Sequence, residues 1–163
     1  MTPTRNEPAG VEFPNDLDVV VTRAFEAPIG LVFDVLTKPE HVTRWFFDRP
    51  LKECAIDLRV GGEYRYVFVT DEGTVMTFHG VFLELEPPTR TVETWLYDGW
   101  PDAEAVETLD FHEADGVTTL TITLSFSDQA GRDRMTKYDG FLSSLDRTEE
   151  LLRSLLAHEG VSS

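Results

Sequence analysis

Residues 131–157 read GRDRMTKYDGFLSSLDRTEELLRSLLA, and the reading of this stretch decides the fold. Met135, Tyr138, Phe141, Leu142, Leu145, Leu151, Leu152, Leu155 and Leu156 recur at spacings of mainly three and four, with Asp139, Asp146, Arg147, Glu150 and Arg153 largely on other faces. That period predicts one amphipathic helix, roughly 40 Å long at 1.5 Å per residue. Ser127 or Asp128 is placed to cap its start, and Gly160 lies just past its end. Gly140 would then fall inside the helix, where glycine costs about 1 kcal/mol relative to alanine. A close backbone approach, or room left for a ligand, would offset that cost; a tolerated surface glycine is the other reading. Arg132, Arg134 and Lys137 at the helix start oppose the helix dipole. They imply an acidic loop or an anion opposite them, or else a solvated polar face.

Nearly everything before this helix reads as strand. Residues 17–25 alternate, with Leu17, Val19, Val21, Arg23 and Phe25 on one side. Pro28 opens a short helix over 29–37, and Pro39 separates it from a second over 40–46 that runs into Trp45, Phe46 and Phe47. Residues 51–58 are weakly strand-like and ambiguous. Strands follow at 63–70, 74–85, 91–97, 105–113 and 117–126, joined by turn signals at Asp71-Glu72-Gly73 and Ala114-Asp115-Gly116. Gly80, inside the 74–85 strand, marks a bulge or bend. Hairpin-linked strands make an antiparallel sheet. A lone long helix after such a sheet must bury its apolar stripe against it, which is the α+β layer solution. A curled sheet gripping one helix need not fill the space between them, and a small-molecule cavity would lie there.

The bulk composition narrows the function classes. The chain has 163 residues, 41% hydrophobic, enough for one domain with a sizeable core. Fourteen basic against 30 acidic residues leave a net charge of −16. Such a chain repels nucleic-acid backbones and anionic membrane surfaces, so neither is an expected partner. Cys54 is the only cysteine, which rules out an intrachain disulfide and fits a reducing compartment. No apolar run approaches a membrane span, and residues 1–15 hold no signal-peptide apolar region, so a cytoplasmic location is expected. Residues 1–16 are expected as a flexible tail, 17–157 as a single domain and 158–163 as a flexible C-terminus.

Several stretches together resemble one family. They are Arg23-Ala24-Phe25-Glu26-Ala27-Pro28, then Val32-Phe33-Asp34-Val35-Leu36-Thr37-Lys38-Pro39-Glu40 and Trp45, then Asp57-Leu58-Arg59-Val60-Gly61-Gly62-Glu63-Tyr64. Gly80 follows, leading to Glu84-Leu85-Glu86-Pro87-Pro88-Thr89-Arg90 and Thr94-Trp95, and last Gly140-Phe141 running into Leu145-Asp146. In this order and spacing they resemble the bacterial proteins similar to the activator of heat-shock-protein-90 ATPase, within the SRPBCC (START-like, helix-grip) superfamily. The resemblance spans residues 17–156. It implies a helix-grip fold, with a curved antiparallel sheet wrapped around one long C-terminal helix and two short helices after the first strand. It also implies a cavity between sheet and helix for an apolar or aromatic ligand. Many relatives carry Trp after the helix glycine, where this chain has Phe141.

The chemistry-bearing residues are few. His41, His79, His112 and His158 are scattered, and none has a ligand-spaced partner, so no metal is expected, nor any cofactor. Gly61-Gly62 lies between strands rather than before a helix, which fails the phosphate-loop context. Cys54 carries no nucleophile signature and reads as a small buried hydrophobe. If the faces carrying Arg23 and His79 are inner ones, both point toward the cavity, and His79 becomes the candidate acid–base group. Trp45, Tyr66, Trp95, Tyr97, Trp100, Phe111, Phe126, Tyr138, Phe141 and Leu142 are the candidate cavity walls. The leading reading is a non-enzymatic small-molecule-binding domain. Alternatives are a cyclase or dehydratase on a polyketide-like aromatic substrate, or a chaperone-interacting co-factor. A homodimer or a protein partner is compatible with either.

Overall fold

The computed structural model describes residues 10–101, 103–136 and 140–161, with side chains omitted for 140, 141 and 159–161. Eight antiparallel strands form one sheet in the order β1-β2-β8-β7-β6-β5-β4-β3. The strands are β1 (Gly10–Glu12), β2 (Asp18–Phe25), β3 (Glu53–Ile56), β4 (Glu63–Val69), β5 (Val75–Glu86), β6 (Arg90–Tyr97), β7 (Ala105–Ala114) and β8 (Val117–Phe126). After β2 the chain crosses to the far edge through α1 (Ile29–Thr37) and α2 (Pro39–Trp45). It then returns strand by strand until β8 pairs with β2, Val19 opposite Leu124 and Arg23 opposite Leu120. Two helices follow, α3 (Gln129–Thr136) and α4 (Gly140–Val161). This is the α+β helix-grip architecture.

Over the stripe 131–157 the described residues are helical on both sides, as α3 up to Thr136 and as α4 from Gly140; residues 137–139 between them, and with them the expected continuity of the helix through Gly140, lie outside the described residues. Elsewhere some readings of the sequence change. Residues 10–12, expected within the tail, form the edge strand β1, pairing Val11 with Val21. The ambiguous 51–58 stretch contributes β3, which pairs Cys54 with Tyr66. The β5 bulge lies between Phe82 and Glu84, not at Gly80.

Alternation on β8 places Thr118, Leu120, Ile122, Leu124 and Phe126 on the inner face, all buried. Neighbouring strands add Val19, Val21, Phe25, Leu109, Phe111, Phe68, Phe78 and Phe82 to one continuous core. On the helix side, Leu145, Leu151 and Leu152 of α4 are buried, as the 3.6-residue period requires. The helices are tied to the sheet by polar groups that would otherwise be orphaned. Glu113 on β7 accepts from Ile29 N at 2.7 Å, closing the N-terminus of α1, which has no side-chain cap of its own. Arg147 on α4 donates to Trp45 O at 2.9 Å and Phe46 O at 3.3 Å, satisfying the last carbonyls of α2. Thr118, fully buried, donates to Ala27 O at 2.7 Å. Replacing it as Thr118→Val keeps the shape but strands that carbonyl, so chemical denaturation should show a loss of about 1–2 kcal/mol with an unchanged slope.

The basic residues after the sheet have specific partners within the protein. Arg132 pairs with Asp133 at 2.9 Å and donates to Asn15 O at 2.8 Å, while the Arg134 guanidinium lies 5.9 Å from the Trp100 ring centroid. Lys137 is outside the described residues.

Candidate functional site

A cavity of about 100 Å³ lies between the inner sheet face and the helices. Its sheet side is built by parity. Tyr64, Tyr66 and Phe68 alternate inward from β4, Phe78 from β5, and Leu120 and Ile122 from β8. Leu36 and Trp45 come from α1 and α2, with Phe46 just after; Met135 comes from α3, and Ser144 and Leu145 from α4. The aromatic side chains hold one another in place. Phe46 sits 4.8 Å from Tyr66 and 5.3 Å from Phe78, and Phe78 is 5.6 Å from Trp95. Trp45 Nε1 donates to Val35 O at 2.7 Å, which aims its ring.

Two residues of this wall are acidic and were not singled out from the sequence. Glu93 on β6 and Glu107 on β7 are direct cross-strand partners, and both face the cavity. Glu93 is 6% exposed and accepts from Thr91 Oγ1 at 3.0 Å. Among the described residues no side chain donates a hydrogen bond to Glu107. Burial pushes the Glu107 carboxyl up to about 7. Burial, and then the charge of Glu107, hold Glu93 well above the usual carboxylate range. Like charges directly opposite on one sheet face repel, so ionising one carboxyl disfavours ionising the other. Tyr64 and Tyr66 are likewise held well above the usual phenol range, chiefly by burial. A signal for the acid pair was present: Glu93 shares its face with Trp95, and Glu107 with Leu109 and Phe111.

The candidates from the sequence are placed as follows. Trp45, Tyr66 and Trp95 line the cavity. Tyr97 stacks on Phe78 at 4.9 Å and meets Trp100 edge-on at 5.2 Å, so these two stand behind the wall. Phe111 packs edge-on against Phe33 at 5.4 Å, and Phe126 lies 6.4 Å from Trp95; both belong to the core beside the cavity. Leu142 is exposed. Tyr138, and the side chain of Phe141, lie outside the described residues.

Arg23 and His79 do not act as expected. Arg23 does face inward, but its guanidinium binds α4, reaching Asp146 at 2.8 Å and Glu149 at 3.4 Å. It ties β2 to α4 and does not line the cavity. His79 is on the opposite face from Phe78, Gly80 and Phe82, half-exposed, with Nε2 2.7 Å from Asp98 Oδ1. The reason is parity: β5 carries apolar residues on both faces, so alternation alone does not tell inner from outer there. The cavity thus holds no histidine among its described residues. The Cys54 thiol is half-buried, and burial pushes it up to about 11, which keeps it protonated and unreactive. Among the described residues no group of three or more His, Cys, Asp or Glu is arranged to hold a metal ion, and no helix is long and apolar enough to cross a membrane.

Comparisons with known proteins agree with this geometry. The family model described as Activator of Hsp90 ATPase homolog 1-like protein matches residues 26–153. The uncharacterized protein C1711.08 of Schizosaccharomyces pombe is 30% identical over 111 residues, covering 68% of this chain and 30% of that protein. The chain therefore spans less than a third of that relative's length. Among solved structures, a Rhodobacter sphaeroides protein superposes with a TM-score of 0.82 at 24% identity, over 90% of this chain and 99% of that one. DynU16, a protein in the dynemicin biosynthetic locus, superposes with a TM-score of 0.70 at 23% identity, over 86% of this chain and 48% of that one. At these identities the solved structures speak for the fold.

Proposed function

The chain belongs to the activator of Hsp90 ATPase homolog 1-like family, and from that premise we propose that it binds a small apolar or aromatic molecule between sheet and helices. The family and fold support a ligand-binding domain in general. The observation that carries the finer reading is the cavity itself, about 100 Å³, walled by Trp45, Phe46, Tyr66, Phe78 and Trp95. Protein interiors are ordinarily close-packed, and a concave, mostly apolar space with a few convergent polar groups is the usual form of a small-molecule site. The cyclase or dehydratase reading depended on His79, whose outer-face position removes that acid–base group from the cavity. DynU16's locus is a biosynthetic one, but an acyl or aldol chemistry here would now have to rest on the two glutamates. The family description also names a chaperone ATPase activator; for that reading the described surface offers acidic charge and no specific docking feature.

The test is a neutral apolar dye, Nile red, titrated into the protein. A saturable, one-to-one fluorescence rise is expected. Leu109→Trp, which places an indole in the cavity, should weaken binding at least about tenfold while unfolding remains cooperative, since overpacking a core site typically costs about 1–3 kcal/mol of stability. Equal dye binding by both proteins would put the site elsewhere and overturn the reading.

A further inference from the structure

The carboxyl pair gives the cavity a chemical preference that its apolar walls do not. Glu93 and Glu107 are the only charged side chains among its described lining residues. They are opposite each other in the β6–β7 register, where side chains start about 5 Å apart. The groups facing them are neutral or aromatic: Thr91 on β6, Tyr64 and Tyr66 on β4, Trp45 on α2, Met135 on α3 and Ser144 on α4. Of the part-buried cations beside this space, Arg23 is engaged by Asp146 and Glu149, and Arg147 by the Trp45 and Phe46 carbonyls. A buried carboxylate without a counter-charge is costly, and a protein usually pairs it or neutralises it. Here the described lining supplies the Thr91 hydroxyl to Glu93 and no cation.

We propose, resting on the cavity reading above, that this wall receives a protonated amine carried on an apolar or aromatic body. The ammonium would sit against the two carboxyls and supply their counter-charge. The rings of Trp95 and Tyr66, which line the same space, favour a cation over their faces, and more strongly when water is excluded. An anionic amphiphile such as a fatty acid meets repulsion at the same wall. A neutral hydroxyl or carbonyl compound gains one hydrogen bond and no charge complement.

Three probes of one shape separate these classes: tryptamine (cation), tryptophol (neutral) and indole-3-propionate (anion), titrated calorimetrically into the full chain. Tryptamine should bind at least about tenfold tighter than tryptophol at pH 8, and indole-3-propionate more weakly than either. Because the ionised pair is the binding form, tryptamine affinity should rise more than about tenfold from pH 5 to pH 8, with a proton released on binding, while tryptophol stays nearly level. The Glu93→Gln/Glu107→Gln double variant should lose the tryptamine preference and the pH dependence while still binding tryptophol, which shows the cavity intact. Tryptophol binding as tight as tryptamine's, or a preference that survives the double variant, overturns the amine assignment and leaves the cavity reading standing. Failure of all three probes and of Nile red in the folded protein overturns both.

Discussion

Gly80→Ala is expected to destabilise the protein by about 3 kcal/mol or more, or to stop it accumulating as folded material. Gly80 is opposite Tyr64 on β4, and the Tyr64 ring crosses directly over it. A methyl group there would come within 1.8 Å of Thr94 O and 2.7 Å of the Tyr64 ring. The first contact is with backbone, so no rotamer change relieves it. The same crossing completes the hydrogen bonding of β5 and β6 at this point. Tyr64 Oη donates to Thr94 O at 2.6 Å, and Val81 N donates to Thr94 Oγ1 at 2.8 Å. The added methyl therefore separates two strands and breaks a buried polar arrangement together. Thermal unfolding followed by circular dichroism measures the loss. A shift within a degree or two of wild type would mean that β5 and β6 part there at little cost, contrary to this packing. Since Tyr64 lines the cavity, Nile red binding should fall along with stability.

Glu107→Gln is expected to stabilise the protein at pH 8 and to change little at pH 4. Folding raises the Glu107 carboxyl from an ordinary 4.5 to about 7, so the folded state holds this proton more tightly than the unfolded chain. Between those values the folded state binds more protons, and stability falls as pH rises. Below 4.5 the side chain is protonated in both states and costs nothing extra. Above about 7 it is ionised in both, and the full penalty is present. At about 1.4 kcal/mol per pH unit that penalty is at most about 3–4 kcal/mol, less the part that solvent reaching this half-buried side chain screens. Glutamine mimics the protonated acid, so the variant escapes the penalty, and its neutral side chain also removes the charge that helps to hold Glu93 up. Chemical denaturation of both proteins from pH 4 to pH 9 should give curves that coincide at the acid end and diverge through pH 5–7. Parallel curves, or a variant less stable at pH 8, would show that Glu107 ionises freely in the folded state. A side chain whose removal stabilises the fold, set in a cavity wall, is the kind of feature retained for binding rather than for stability.

The architecture was legible because it rests on period and punctuation. The alternation of Thr118 to Phe126, the spacing of Leu145, Leu151 and Leu152, and the prolines at 28 and 39 each act locally. Their outcomes do not depend on distant parts of the chain. The candidate site was legible in part. Trp45, Tyr66 and Trp95 could be named as wall residues because large aromatics on inward-facing positions have few other places to go. The edge strand at Gly10–Glu12 carried no comparable signal.

Side assignment on β5 and the meeting of Glu93 with Glu107 needed the tertiary structure. Alternation tells which residues share a face, but not which face is covered, and both faces of β5 carry apolar groups. His79 was therefore read as inward until the sheet's curvature and the pairing of Tyr64 with Gly80 put Phe78 inside and His79 outside. Glu93 and Glu107 are fourteen positions apart, and each alone reads as an ordinary surface acid. Only the β6–β7 register sets them side by side, and only the helices over that face bury Glu93 and leave Glu107 half-buried. The sequence by itself determined the layers and their order, because those follow from local period. The acid pair that distinguishes this cavity is long-range and exists only once the strands are in register.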